Sequence, residues 1–467
     1  MHWPTLVYIL FVIFFGYFIV LTLYYLVLLI IGLIEGKKRA LQDRLENYPI
    51  LSSSGFTIPV SVILPAHNEE DWILDALKSI LNQSYPEFEV IIVNDGSTDK
   101  TFSLLDGFLK LKSVDLHYTD HFQSGKIHEV FKSETYSNVT VISKTGGFKK
   151  AGAVNAGLNF VRYQYVCVID ADTVLEPDAL LKVMAHVQKD PENIVGIGSY
   201  FGLVNGFKIK DGQVVERNFT PNMLIAYQNL EYIRTFIGAR IAWSKYNAMP
   251  CVSGGFGIWR KDILLKLGGY ATDFSSEDIE LTFRAHDYLV KNKISGYKIM
   301  MLPYYIGWTE GPGNIISLLQ QRNRWQRVIN ETISRYKHMI LNPRYKTFAF
   351  FTLPYYLIYE VLDVFVEIIS IVTLLASCLA GLLQVEAFLS FLILISISQT
   401  AISLLSIFSF IRHQNLLKMK DVAFLVILSF FELFLYRWII WIAKLWGTYN
   451  YLRGVRVYEQ YTRIPRR

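Results

Sequence analysis

Cysteine is scarce in this chain: Cys167, Cys251 and Cys378 are the three in 467 residues, widely separated and without C-x-x-C spacing. That pattern argues against a disulfide framework and a structural zinc site, and it fits a reducing compartment where each thiol acts as a small buried apolar residue. Charge is scarce too, with 18% charged residues and a net of +6. The basic residues gather in short blocks (GKKRA, RNRWQR, RYKH, the arginine-rich C-terminus) that flank apolar segments, not in the dense stripe of a nucleic-acid binder. His67 and His128 lack the clustered partners of a zinc site and read as polar loop or pocket residues. Apolar residues are plentiful instead. At 52% hydrophobic and 15% aromatic, the composition argues for a membrane protein over one water-soluble globule.

Residues 4 to 34 carry no charge and exceed the roughly 20 residues a spanning helix needs. The run is longer than a signal-peptide core of about 7 to 15 residues, and no small-residue cleavage site follows it. Residues 1–35 therefore read as a retained anchor and 36–57 as a linker, whose Lys37, Lys38 and Arg39 mark the cytoplasmic side. From about Ile58 to Arg335 charges return and no window reaches spanning length, so 58–335 reads as one large cytoplasmic domain. Apolar stretches near 348–383, 386–411 and 421–447 give about three spans within 336–447, followed by a basic tail, 448–467. Their parity conflicts with the positive-inside rule, since one span before the domain and three after it leave the basic tail outside. Pro354, Glu360, Asp363 and Glu367 would let the first stretch begin as an interfacial helix, and Glu432 and Arg437 would let the last end early or turn back.

Within 58–335 strand-like and helix-like patterns alternate. VSVILP is a β-branched run before NEEDWILDALKSILNQ, in which Ile73, Leu74, Leu77, Ile80 and Leu81 share a helical face. FEVIIVNDGSTD, VTVISK, KKAGAVNAGLNFV and YVCVIDADT continue the alternation. The succession predicts an α/β domain with a mostly parallel sheet, which binds ligands beyond the carboxyl ends of its strands. Asp95, Asp170 and Asp172 fall at such ends. An Asp-x-Asp pair there suits Mg2+ or Mn2+, which take one or two carboxylates and complete their shell with phosphate oxygens; the competing interpretation is a turn, where Asp bonds nearby N–H groups. Glu277 and Asp278 open a predicted helix. They serve either as charges favoured by its dipole or as a positioned base.

The motifs ILPAHNEE, VNDGSTD, KAGAVNAG, IDADT, SSED and QRNRW, in this order between one apolar anchor and a group of others, resemble the membrane-bound family 2 glycosyltransferases. That family includes synthases of cellulose, chitin, hyaluronan and poly-N-acetylglucosamine. The resemblance covers about residues 58 to 335 and the anchor arrangement, and Gln-x-x-Arg-Trp after Asp-x-Asp and Glu-Asp is its most specific element.

The resemblance implies a GT-A, Rossmann-like cytoplasmic domain joined to α-helical membrane segments in the cell membrane. It implies a nucleotide-sugar donor, UDP-linked in this family's manner, a glycan or lipid-linked acceptor, and Mg2+ or Mn2+. Asp95 would contact the uracil, and Pro65, Asn68 and Glu69 would line the nucleotide pocket. Lys150 would approach the diphosphate, Asp172 assisted by Asp170 would carry the metal, and Asp278 with Glu277 beside it would act as the base. Gln321, Arg324 and Trp325 match the signature that closes over diphosphate and acceptor sugar, for which a planar charged fork and a flat apolar face are suited. The implied chemistry is a single inverting displacement, with growth of a polysaccharide coupled to export or, alternatively, one addition to a lipid-linked acceptor. Ser276 stands where many relatives have Thr, and QRVINE lacks the glycine common soon after the signature. No C-terminal nucleotide-sensing domain is expected, and GWTEGPGN is similar to the TE-x-P segment of synthases that use N-acetylglucosamine. A transporter is the rival outside the enzyme class, but few spans and a large domain disfavour it.

Overall fold

The computed structural model describes residues 3–147, 149–218, 220–414 and 418–455; most of the basic tail, 456–467, lies outside them. The chain divides into two compact units. Met1–Lys38, Pro221–Trp243 and Pro312–Val455 form a helical unit, and Arg39–Thr220 with Ser244–Gly311 form an α/β unit.

The strands of the α/β unit are β1 (Val60–Ala66), β2 (Phe88–Asp95), β3 (Leu111–Ser113), β4 (Ile127–Ser133), β5 (Val139–Lys144), β6 (Tyr165–Ile169), β7 (Val174–Leu175), β8 (Ile194–Leu203), β9 (Lys208–Lys210), β10 (Gln213–Glu216), β11 (Phe256–Arg260) and β12 (Lys298–Thr309). Ten make one sheet in the order β3-β4-β5-β2-β1-β6-β11-β8-β12-β7, and β9 and β10 make a separate hairpin. Strands β3, β5, β2, β1, β6, β8 and β12 run one way, while β4, β11 and β7 oppose them. The mostly parallel sheet expected from the sequence is thus present, with β11 as an antiparallel insertion between β6 and β8. The central strands β1 and β6 are buried along their whole length, in keeping with their richness in Val and Ile. The helix Ile73–Leu81 buries Ile73, Ala76, Leu77 and Ile80 against that core, as its periodicity indicated.

Two details of β1 and β6 place the site. Pairing of β1 with β6 stops at Ile63↔Val168, and Pro65, which has no N–H to offer, lies beyond that point. The two strands diverge there, at the carboxyl edge where β1, β2, β5 and β6 all end.

In the helical unit, Pro4–Arg44 and Val385–Ser409 are each long and apolar enough to cross a membrane. Two further pairs qualify only jointly: Phe348–Val361 with Asp363–Leu379 bends by 43°, and Met419–Phe431 with Tyr436–Leu452 by 60°. Both breaks fall beside the charges that made the sequence ambiguous. Those charges are paired: Lys444 with Glu360 at 2.9 Å and Asp363 at 3.4 Å, Arg437 with Glu367, and Arg234 with Glu432 through bonds of 2.6 and 2.7 Å. Pairing makes such groups tolerable in an apolar bundle.

Residues 221–243 and 312–335, which composition placed in the 58–335 domain, pack into the helical unit. Their charges return the hydropathy to soluble values, yet Arg234 and Arg322 are consumed there by Glu432 and Glu231. Arg39, at the end of the basic block after the anchor, is buried and donates to the Met301 carbonyl at 2.5 Å. The expectation for the cysteines needs one correction. Cys167 and Cys251 are buried, but Cys378 is exposed on the last turns of Asp363–Leu379.

Candidate active site

The loops at the carboxyl edge of the sheet hold two polar clusters. The first surrounds Asp95. Parallel register sets Asp95 opposite Lys144, the last residue of β5, and their buried side chains form an ion pair. The His67 ring meets the Asp95 carbonyl at 2.6 Å. Asn68 adopts φ 55°, a left-handed conformation Asn tolerates, and its Oδ1 accepts from the Thr98 N–H at 2.8 Å. The Glu69 N–H donates to Thr101 Oγ1 at 2.8 Å. Asn68 and Glu69 therefore shape the turn after Asp95.

The second cluster joins four sequence motifs. Lys150, in the first turn of the helix Lys149–Leu158, is paired to Asp170 after β6, to Glu277 Oε1 at 2.8 Å, and donates to the Gly254 carbonyl at 2.9 Å. Gly254 also donates its N–H to Asp278 Oδ2 at 3.2 Å. One residue thus links the lysine to the carboxylate of Asp278. The packing there is tight: a Cβ would lie 3.0 Å from Lys150 Nζ and 3.1 Å from Glu277 Oε1, so it would shift the ends of both side chains. Asp278 Oδ1 accepts from the Ile279 N–H at 2.8 Å and from Ser276 Oγ at 3.1 Å, so both oxygens are oriented at the start of Asp278–Lys291. The serine in place of threonine retains this hydroxyl.

Asp172 is buried and accepts from Thr309 Oγ1 at 3.2 Å, while the neighbouring Glu310 accepts from Trp72 Nε1 at 3.1 Å. The TE segment therefore abuts the Asp-x-Asp turn. Burial, opposed by the Lys150 ammonium and reinforced by the Asp172 charge, pushes the Asp170 carboxyl up to about 6. Burial also opposes the charge on Lys150, but Asp170 and Glu277 more than offset it and hold the ammonium well above the usual lysine range. Among the described residues no group of three or more His, Cys, Asp or Glu forms a metal cage. Asp170 and Asp172 are a pair of hard, mutually repelling oxygen donors. Such a pair fits a divalent cation that completes its shell with phosphate oxygens.

Gln321, Arg324 and Trp325 belong to the helical unit, on Ile315–Arg335, whose start is capped by Asn314 accepting from the Ser317 N–H at 2.9 Å. Gln321 is buried, and Arg324 and Trp325 are half-buried. Arg322, one turn before Trp325, forks onto Glu231 through two 2.8 Å bonds and lies 4.1 Å over the Trp325 ring. One face of that indole is thereby occupied by a guanidinium. The sequence argument passed over Arg322, Lys144 and Gly254. Lys144 was open to discovery as a lysine closing a buried strand, a place lysine avoids unless paired.

Known proteins agree with this architecture. The Glycosyl transferase family 2 model matches residues 61–267, and that of Glycosyl transferase family group 2 matches 165–446, more than half of the chain. The chain belongs to the family 2 glycosyltransferases. It is similar to the poly-beta-1,6-N-acetyl-D-glucosamine synthase of Staphylococcus epidermidis, 28% identical over 276 residues that cover 59% of this chain and 56% of that protein. The synthase of the same name from Staphylococcus aureus strain MSSA476 is 25% identical over the same shares. The chain thus spans about half the length of the curated relatives it matches. A solved mannosyltransferase from Pyrobaculum calidifontis, in complex with GDP-Man and Mn2+, superposes with a TM-score of 0.55 at 18% identity, over 88% of this chain and 98% of that one. That likeness establishes the GT-A fold.

Proposed function

We propose that this protein transfers a sugar from a UDP-linked donor to the growing end of a glycan at the membrane, with inversion at the anomeric carbon. The amino-sugar polymers named for its relatives are the product class, and the catalytic unit faces the cytoplasm. The observation that carries this reading is the Gly254 backbone, whose carbonyl accepts from Lys150, itself paired to Asp170, and whose N–H donates to Asp278.

In this reading the acceptor hydroxyl oxygen bonds to the anomeric carbon as its proton passes to the Asp278 carboxylate. The bond from that carbon to the diphosphate breaks, and the diphosphate departs with the electron pair. Gly254 and Ser276 aim the carboxylate, Lys150 meets the charge of the leaving group, and Asp95 with the Pro65–Glu69 segment borders the uracil. Asp170 and Asp172 would hold Mg2+ or Mn2+, which supplies charge neutralisation of the leaving diphosphate. Arg324 serves the diphosphate, and Gln321 and Trp325 serve the acceptor.

The test is transfer by purified protein in lipid, given Mn2+ or Mg2+ and a panel of labelled UDP-sugars, with product size resolved on a gel. A ladder of long products is expected. A single addition to lipid would replace polymerisation by one-step transfer, and failure to bind every nucleotide sugar would end the transferase reading.

A further inference from the structure

Lys150 and its partners carry more than their placement beside a leaving group. An ammonium has three N–H donors, and Lys150 commits them to Asp170, Glu277 and the Gly254 carbonyl. The two carboxylates are unequal. The Glu277 side chain is 9% exposed and that of Asp170 is 34% exposed, so Glu277 is the enclosed partner and Asp170 the one that solutes reach. Glu277 is engaged by the ammonium, whereas the Asp278 carboxylate is oriented by the Gly254 N–H, the Ile279 N–H and the Ser276 hydroxyl. The two adjacent acids therefore have different work.

We propose that Lys150 and Glu277 form a positioning pair: Lys150 competes with a divalent cation for Asp170, and Glu277 retains the ammonium beside Gly254 and Asp278 once Asp170 is given up to the cation. Glu277 is accordingly a positioning residue and not a second base. The inference rests on the proposed transferase reading for the identity of the cation. Lys150 lowers cation affinity twice over, by occupying a ligand oxygen and by placing a like charge beside the site. It also ties cation loading to the carboxylate of Asp278, because Gly254 meets Lys150 through its carbonyl and Asp278 through its N–H.

Binding of Mn2+ by the purified full chain without nucleotide, read from the electron paramagnetic resonance of free Mn2+, tests this independently of turnover. Lys150→Met should raise Mn2+ affinity roughly tenfold, the lower end of the 10–100-fold range over which neighbours of metal ligands act. Lys150→Arg, which keeps the charge, should leave it near wild type. Glu277→Gln should lower it, because Lys150 then has Asp170 as its one carboxylate, and should leave the shape of the kcat–pH profile unchanged. Unchanged affinity in Lys150→Met, or a fall in Glu277→Gln activity with loss of the acidic limb of that profile, where a general base titrates, would overturn the proposal. Absence of Mn2+ binding in both wild type and Lys150→Met would overturn it too. A chain that binds Mn2+ with the expected variant pattern yet turns over no sugar nucleotide would instead defeat the transferase reading alone.

Discussion

Arg234 and Lys150 are both buried cations, yet the helical unit gives Arg234 one carboxylate through two hydrogen bonds, whereas the α/β unit gives Lys150 two carboxylates and a carbonyl. Their side chains are 19% and 17% exposed, so depth does not distinguish them. The difference lies in stoichiometry. A guanidinium forked onto one carboxylate is satisfied as a closed pair, a geometry that resists exchange. An ammonium shared between unequal acids can release one and keep the other. The first arrangement suits a scaffold, and the second suits a site that takes up and discharges charged ligands.

Breaking the closed pair should have the largest effect on stability. Glu432→Ala leaves Arg234 without its carboxylate and should destabilise the protein by about 3–5 kcal/mol, measured as unfolding in detergent. Arg234→Met combined with Glu432→Ala should recover most of that loss; equal loss in the double variant would show that the ion pair is not the source.

The α/β unit also buries a titratable ring between a carbonyl and a hydroxyl. His286 is 1% exposed, meets the Met249 carbonyl and the Tyr297 hydroxyl at 3.0 Å each, and is lowered by burial from 6.5 to about 4. Below pH 6.5 the unfolded chain takes up a proton that the folded chain refuses. Stability from this site is therefore full above about pH 6.5 and declines as the pH falls toward 4, by roughly 3 kcal/mol at the limit. Melting temperatures across that window should show the decline and His286→Asn should flatten it; a wild-type profile that stays level would contradict the burial argument.

The smallest effect concerns packing without charge. Ile315–Arg335 and Tyr436–Leu452 approach so closely at Gly447 that a Cβ would stand 2.6 Å from the Asn323 carbonyl. Gly447→Ala should cost about 1–3 kcal/mol through overpacking, and an unaltered melting temperature would show that the helices separate freely.

Much of the α/β unit was legible in the sequence because short apolar runs and Asp-containing turns report directly on buried strands and their ends. The placement of Asp170, Asp172, Glu277 and Asp278 follows from that pattern. Gly254 was not legible: CVSGGFG reads as a flexible loop, and nothing local shows that its N–H and carbonyl will bridge two motifs more than a hundred residues apart in the chain. Lys144 became a partner of Asp95 through parallel register, which pairs residues 49 positions apart. The segment 312–335 misled because its arginines look soluble until Glu231 is brought to Arg322 by helices distant in sequence. Glu360, Asp363 and Glu432 did mark the two bends, since charges interrupt an apolar span where partners must be found.

The central claim, that Asp278 accepts the proton during sugar transfer, is tested most directly by UDP release from wild type and Asp278→Asn in lipid, with donor binding measured in parallel. The account predicts a turnover loss of about 10²- to 10⁴-fold with donor binding retained. Near-normal turnover by a folded Asp278→Asn protein would contradict it.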